Sequence, residues 1–125
     1  DVLLVEDNPI NQVVALEFLS LMGLQSRLAC DGHEALAQCA RRAPDLVLMD
    51  IQMPGMDGLE ATRQIRERLQ LRELPVIVTS GLDGLANVVR CIELGAEDYL
   101  HKPVNPVLLR ARIAASFEKK RLRDQ

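Results

Sequence analysis

Leu46-Val47-Leu48-Met49, closed by Asp50, is the stretch on which the fold turns. Successive side chains of a strand point to opposite faces, so four apolar residues in a row require cover on both sides, as at the centre of a parallel sheet. Outward from this run the pattern recurs. Val2-Leu3-Leu4-Val5 is closed by Glu6-Asp7, Val76-Ile77-Val78 follows Pro75 and ends at Thr79-Ser80, and a short run near Asp98 to His101 is broken by Lys102-Pro103. The segment from Leu24 to Ala29 differs, because Gln25 and Arg27 alternate outward as in a half-exposed edge strand.

Between these runs lie stretches with helical spacing. Asn8 suits a cap with Pro9 at the first helical position, and Ile10, Val13, Val14, Phe18 and Leu21 read as one apolar stripe. Gly23 suits a left-handed stop. Further helices are predicted from about Gly32 to Arg42, from near Leu59, from a cap at Asp83 to Leu94 before Gly95, and from Pro106, with Leu109, Ile113 and Phe117 four residues apart. Five strands alternating with five helices predict an α/β fold with a parallel sheet and crossover helices.

A chain of 125 residues is the size of one domain. Hydrophobic residues make up 48% of it, yet Phe18, Phe117 and Tyr99 are the only aromatics, so the core is expected to be aliphatic. The formal charge of −3 gives no general attraction to nucleic acid, and three aromatics offer almost no platform for stacking bases. No apolar run approaches the roughly 20 residues that span a bilayer, and no signal segment opens the chain, so a soluble cytoplasmic domain is expected. Cys30, Cys39 and Cys91 lack metal or redox spacing and read as small buried hydrophobes in a reducing compartment. His33 and His101 stand singly, which suits surface positions better than metal ligation. A start at Asp1 directly before a strand, and an end inside a charged segment, give the sequence the look of a domain excised from a larger protein.

In an open parallel sheet ligands gather beyond the carboxyl ends of the strands. Those ends hold Glu6, Asp7, Asp50, Ser80 and Lys102. Each alone has a plain structural explanation, as a helix cap, a strand end or a solvated cation. Together they do not, because converging carboxylates repel by roughly 4 kcal/mol per pair at 4 Å and an effective dielectric of 20 unless a cation lies among them. Oxygen ligands beside a phosphate suit Mg²⁺, and Asp50, flanked by that metal and Lys102, could attack phosphorus in line to give an aspartyl phosphate.

Four segments also resemble the receiver (CheY-like) domains of bacterial two-component response regulators, in order and at family spacing across essentially the whole chain. They are Val2-Leu3-Leu4-Val5-Glu6-Asp7-Asn8, Leu46 through Gly58 with its Asp50-Ile51-Gln52-Met53-Pro54-Gly55-Met56-Asp57 centre, Pro75 through Gly81, and Asp98-Tyr99-Leu100-His101-Lys102-Pro103. The resemblance implies a doubly wound, flavodoxin-like five-stranded sheet of order 2-1-3-4-5. It implies Asp50 as phosphorylation site, Asp7 as direct metal ligand, Glu6 as a ligand acting through water, and the Gln52 carbonyl as the remaining protein ligand for Mg²⁺. Lys102 would pair with the phosphoryl group, across a cis bond to Pro103.

Ser80, five residues after Pro75, matches the family's switch hydroxyl better than Thr79, and Tyr99 matches the aromatic that rotates after it. The surface of the fourth predicted helix, the fifth strand and the last helix would change in response. The phospho-donor would be a histidine kinase or histidine phosphotransfer domain, docking at the first helix and the loops around the pocket, and a phosphorylation-dependent homodimer fits the same class. Leu82, two residues beyond Ser80, matches a position that influences attack by water, and its apolar side chain predicts slow self-dephosphorylation. Met49, Met53 and Met56 read as packing or loop filling, and Gly58 as backbone freedom after the active-site loop.

Residues 1–117 would form the receiver, and 118–125 a charged helical extension or the start of a linker to an output domain. Asn8-Pro9-Ile10-Asn11-Gln12 resembles receivers attached to hybrid histidine kinases, whereas Glu118-Lys119-Lys120-Arg121 resembles those followed by a cyclase, phosphatase or other signalling domain. Three other readings fit less well. A Mg²⁺ phosphohydrolase with an Asp nucleophile needs an acid two residues on, where Gln52 stands. A docking module that is never phosphorylated should have lost a pocket residue, and a flavin module needs a phosphate-cradling loop where Glu6 and Asp7 would repel one.

Overall fold

The structure is a computed structural model that describes residues 1–51, 58–68, 73–81, 89–90 and 92–123. Strands β1 (Val2–Val5), β2 (Ser26–Ala29), β3 (Leu46–Asp50), β4 (Val76–Ser80) and β5 (Asp98–His101) form one sheet of order β2-β1-β3-β4-β5. Every neighbouring pair is parallel. Helices α1 (Pro9–Leu21), α2 (Gly32–Arg41), α3 (Gly58–Glu67) and α4 (Pro106–Arg123) connect or follow the strands. Residues 89–90 and 92–93 are helical too, Leu94 lies in the turn that follows, and residues 83–88 and 91 of the predicted fourth helix lie outside the described residues.

The alternation of strand side chains sorts the core into two layers. Leu3, Val5, Val47, Met49, Val76 and Val78 meet Ala35, Leu36 and Cys39 of α2 and Ala61 and Ile65 of α3. The opposite parity, Val2, Leu4, Leu46, Leu48, Ile77 and Leu100, meets Leu19 of α1 and Leu109 and Ile113 of α4. Each large aliphatic side chain fully buried in this way contributes roughly 1.5–3 kcal/mol, which is why β1, β3 and β4 tolerate no polar residue before their carboxyl ends. The Leu109 and Ile113 stripe of the last helix faces the sheet as its spacing predicts, with Phe117 packed against the same layer.

The first helix does not bury the expected stripe. Leu19 is its buried residue, with Ala15, Leu16, Phe18 and Met22 packed beside it, while Ile10, Val13 and Leu21 are 74%, 69% and 71% exposed. Residues 15, 18, 19 and 22 carry the i, i+3, i+4, i+7 spacing of a core face. The sequence PINQVVALEFLSL is apolar over so much of its circumference that a second, competing stripe could be drawn through it.

The second strand begins at Ser26 instead of Leu24, because the backbone there still belongs to the end of α1. Gly23, at φ +76°, donates to the Ser20 carbonyl, and Leu24 donates to that of Leu19. This is a left-handed helix stop of the kind glycine permits. Cys39 is buried, and burial pushes its thiol pKa up. Cys30 is exposed, against the expectation of a buried hydrophobe, because it lies just beyond the β2 edge strand. Cys91 lies outside the described residues.

Candidate functional site

The sheet delivers its polar residues to one end. Glu6 follows β1, Asp50 ends β3, Ser80 ends β4 and Lys102 follows β5. Sheet hydrogen bonding persists into this region: Glu6 N–H donates to the Ala29 carbonyl at 3.0 Å, Ile51 N–H to Thr79 at 3.1 Å and Lys102 N–H to Ser80 at 2.7 Å. The Lys102–Pro103 bond is cis.

Glu6 and Asp50 are 4% and 2% exposed, although both carry carboxylates. The Lys102 ammonium bridges them, 2.9 Å from Glu6 Oε1 and 3.0 Å from Asp50 Oδ2. Asp7 is exposed beside them, and one carboxylate oxygen from each of Glu6, Asp7 and Asp50 lies within 4.8 Å of the others. Asn8 N–H donates to Glu6 Oε2 at 3.3 Å, and Gln12 Nε2 donates to the Glu6 carbonyl at 2.7 Å. The Asn8 side chain at the same time accepts from the N–H groups of Ile10 and Asn11, capping α1. One turn of chain thus starts a helix and fixes a carboxylate.

Burial pushes the Glu6 pKa up to about 7; the Lys102 ammonium opposes this and the neighbouring Asp50 adds to it. Burial also acts to lower Lys102, but its bonds to Glu6 and Asp50 outweigh it and leave its pKa raised. One ammonium among three carboxylates leaves the cluster with excess negative charge. A set of hard oxygen donors with that imbalance suits a divalent cation such as Mg²⁺. Gln52, the fourth expected ligand, lies outside the described residues.

The basin lined by Glu6, Asp7, Asn8, Pro9, Asn11, Asp50 and Lys102 is about 430 Å³. Glu6, Asn11 and Lys102 also wall a second cavity of about 250 Å³ between α1 and α4, lined mainly by apolar side chains including Val14, Phe18, Val104 and Leu109. The charged groups converge in the first.

Ser80 is wholly buried, and its hydroxyl has no hydrogen-bond partner among the described residues. Tyr99 is half-buried against the α2/α3 layer, and its ring meets that of His101 edge to face, with centroids 5.5 Å apart. Gly58 does not supply the backbone freedom expected of it. The positive-φ glycines among the described residues are Gly23 and Gly95, and a methyl group at Gly58 would lie 2.5 Å from the Asp50 carbonyl oxygen. Glycine is required there because α3 starts against the backbone at the end of β3.

The structure therefore brings together Glu6, Asp7, Asp50 and Lys102, and places Ser80 at the adjoining strand end. The roles of Asn8 and Gln12 in fixing Glu6, and the direct Glu6–Lys102 pair, were not apparent from sequence. A polar residue four positions after a helix cap carries no signal of the carbonyl it will reach.

The response regulator receiver domain family matches residues 2–114. The response regulator PleD of Caulobacter vibrioides is 42% identical over 85 residues, covering 68% of this chain and 19% of that protein. Hybrid signal transduction histidine kinase K of Dictyostelium discoideum is 38% identical over 128 residues, covering 95% of this chain and 10% of that protein. The receiver domain of NtrX from Brucella abortus superposes with a TM-score of 0.88 at 34% identity, covering 94% of this chain and 98% of that one.

The chain belongs to the response regulator receiver domain family. It is a receiver domain of the two-component type, the signalling class whose members accept a phosphoryl group, and it spans a minor part of PleD and of the hybrid kinase.

Proposed function

We propose that Asp50 is the phosphoryl acceptor, that Asp7 and Asp50 would hold Mg²⁺ directly with Glu6 acting through water and the Gln52 carbonyl completing the protein ligands, and that Lys102, Ser80 and Tyr99 convert phosphorylation of Asp50 into a change of surface. The observation that carries this reading is the Lys102 ammonium held between two buried carboxylates at the strand ends.

An Asp50 carboxylate oxygen attacks phosphorus, and the bond from phosphorus to the donor, a phosphohistidine imidazole or the acyl oxygen of acetyl phosphate, breaks as the donor leaves. Mg²⁺, when bound, supplies charge neutralisation at the phosphoryl oxygens. Lys102 is already within reach of Asp50 and can turn from its carboxylate to a phosphoryl oxygen. Ser80, whose hydroxyl has no partner among the described residues, can donate to another, and Tyr99 follows it.

This is acceptance by the domain itself, without turnover of an external substrate. The donor would be a histidine kinase or phosphotransfer domain. Its docking surface would include the exposed Ile10 and Val13 on α1, whose helix begins beside the acidic basin. Output would pass to a further domain or partner through β5 and the last helix, with a phosphorylation-dependent homodimer as one route, in the cytoplasm. No helix among the described residues is long and apolar enough to cross a membrane. Residues 1–117 act as the receiver, and 118–125 as a charged extension; α4 runs on through Arg123, whose side chain pairs with Glu73.

Intact-protein mass after incubation with acetyl phosphate and Mg²⁺ tests the proposal. Wild type should gain the mass of one phosphoryl group, and Asp50→Asn, or wild type in EDTA, should not. An unmodified wild type under a range of donors, including a cognate phosphotransfer protein, would leave a docking module as the better reading.

A further inference from the structure

Tyr99 and His101 occupy alternate positions on β5, so both side chains leave the same face of the sheet. Their rings are not merely near one another: the centroids are 5.5 Å apart and the planes 87° apart, the edge-to-face arrangement favoured by the ring quadrupoles. In the β4–β5 register His101 is the direct partner of Ser80, and Tyr99 that of Val78. Parallel neighbours lie about 5 Å apart across the sheet, so His101 stands beside the buried serine and, along its own strand, against the tyrosine ring. A tyrosine moving toward Ser80 has to give up or rearrange its contact with that imidazole.

We infer that His101 is a positioning residue for the switch: its ring holds Tyr99 in the arrangement seen here, in which the Ser80 hydroxyl has no partner among the described residues, and so sets how readily Tyr99 responds when Ser80 is drawn to a phosphoryl group. This rests on the function proposed above and adds to it a residue between hydroxyl and aromatic. Aromatic pairs of this geometry shift a two-state equilibrium by a few-fold to about tenfold, enough to tune a switch without locking it.

Tyr99 is the only tyrosine and there is no tryptophan, so intrinsic emission reports this ring alone. The experiment titrates beryllofluoride, a tetrahedral mimic of a phosphoryl group, into Mg²⁺-loaded wild type, His101→Ala and His101→Phe, following tyrosine emission. A second readout, loss of the acetyl phosphate mass adduct on preincubation with beryllofluoride, reports occupancy of Asp50 independently of the ring. His101→Ala should reach half-maximal emission change at a two- to tenfold lower beryllofluoride concentration. His101→Phe, which keeps a ring at the contact, should restore a midpoint near that of wild type. Equal midpoints in all three, with wild-type emission responding, would overturn the inference and leave the acceptor reading intact. If beryllofluoride fails to protect Asp50 and no adduct forms without it, the acceptor reading itself fails, and the inference with it.

Discussion

Replacing Gly58 with alanine separates two physical expectations of opposite sign. If Gly58 were an ordinary helical residue, alanine would stabilise the protein, by up to about 1 kcal/mol from helix propensity and reduced freedom of the unfolded chain. The structure predicts the reverse. The added methyl would lie 2.5 Å from the Asp50 carbonyl oxygen and from Ile51 Cα, and 2.9 Å from Ile51 Cγ2. Carbon atoms in good contact sit about 3.5–4.0 Å apart, so about 1 Å of movement is needed. The first two neighbours are backbone and cannot rotate away, and Ile51 is pinned by its hydrogen bond to Thr79. Overpacking of this kind costs about 1–3 kcal/mol, and the upper end applies where backbone must shift, leaving a net loss of about 2 kcal/mol after the alanine gain. With a urea slope of about 2 kcal/mol/M the unfolding midpoint should fall by about 1 M. Equilibrium unfolding in urea, followed by circular dichroism, measures it. A midpoint equal to or above wild type would refute the close approach of α3 to the end of β3. Because the displaced backbone carries Asp50, phosphorylation by acetyl phosphate should slow in the same variant.

In metal-free buffer, stability should decline between about pH 4.5 and pH 7. Glu6 binds its proton more tightly folded than unfolded, with a pKa raised from 4.5 to about 7, so across that window the unfolded chain has given up a proton that the native state still holds, and stability falls until the native carboxyl also ionises. The order of magnitude is about 3 kcal/mol. Saturating Mg²⁺ or Glu6→Gln should flatten the dependence of the urea midpoint on pH, and a midpoint that rises through this range would contradict the sign. The aspartyl phosphate is expected to persist for minutes or longer, because Leu82 offers no polar group to orient water; decay of the mass adduct within seconds after desalting would refute this.

Much of the architecture was legible because burial on both faces leaves a plain mark. Leu46-Val47-Leu48-Met49 needs layers above and below, and Leu24 to Ala29, with Gln25 and Arg27 turned outward, suits an edge, so the centre and one end of the strand order were constrained by sequence. The site was legible for a related reason. Charged residues that interrupt such strands stand out at their carboxyl ends. What sequence could not settle was the choice between two apolar stripes on α1, since Ile10, Val13 and Leu21 are as hydrophobic as the side chains the helix buries. Gly58 was misread because a close approach and a left-handed turn demand the same residue. The path from Gln12 to the Glu6 carbonyl and from Lys102 to Glu6 depends on distances that only the folded sheet defines.

The continuation of sheet hydrogen bonding into the site restricts how a signal can leave it. Glu6, Ile51 and Lys102 each donate a backbone N–H to a neighbouring strand or its extension, and Asp50 and Thr79 are register partners inside the sheet. A response that displaced this backbone would break several such bonds at once in an environment with little water to replace them. Side-chain torsions carry no such penalty. Ser80 can turn about one bond, Lys102 can exchange one carboxylate oxygen for another acceptor, and Tyr99 can move its ring along β5. A charge added at Asp50 is therefore transmitted most cheaply by side-chain rearrangement along β4 and β5, with the sheet as a fixed reference. That makes the small ring contact between Tyr99 and His101 large on the scale of the event it would regulate.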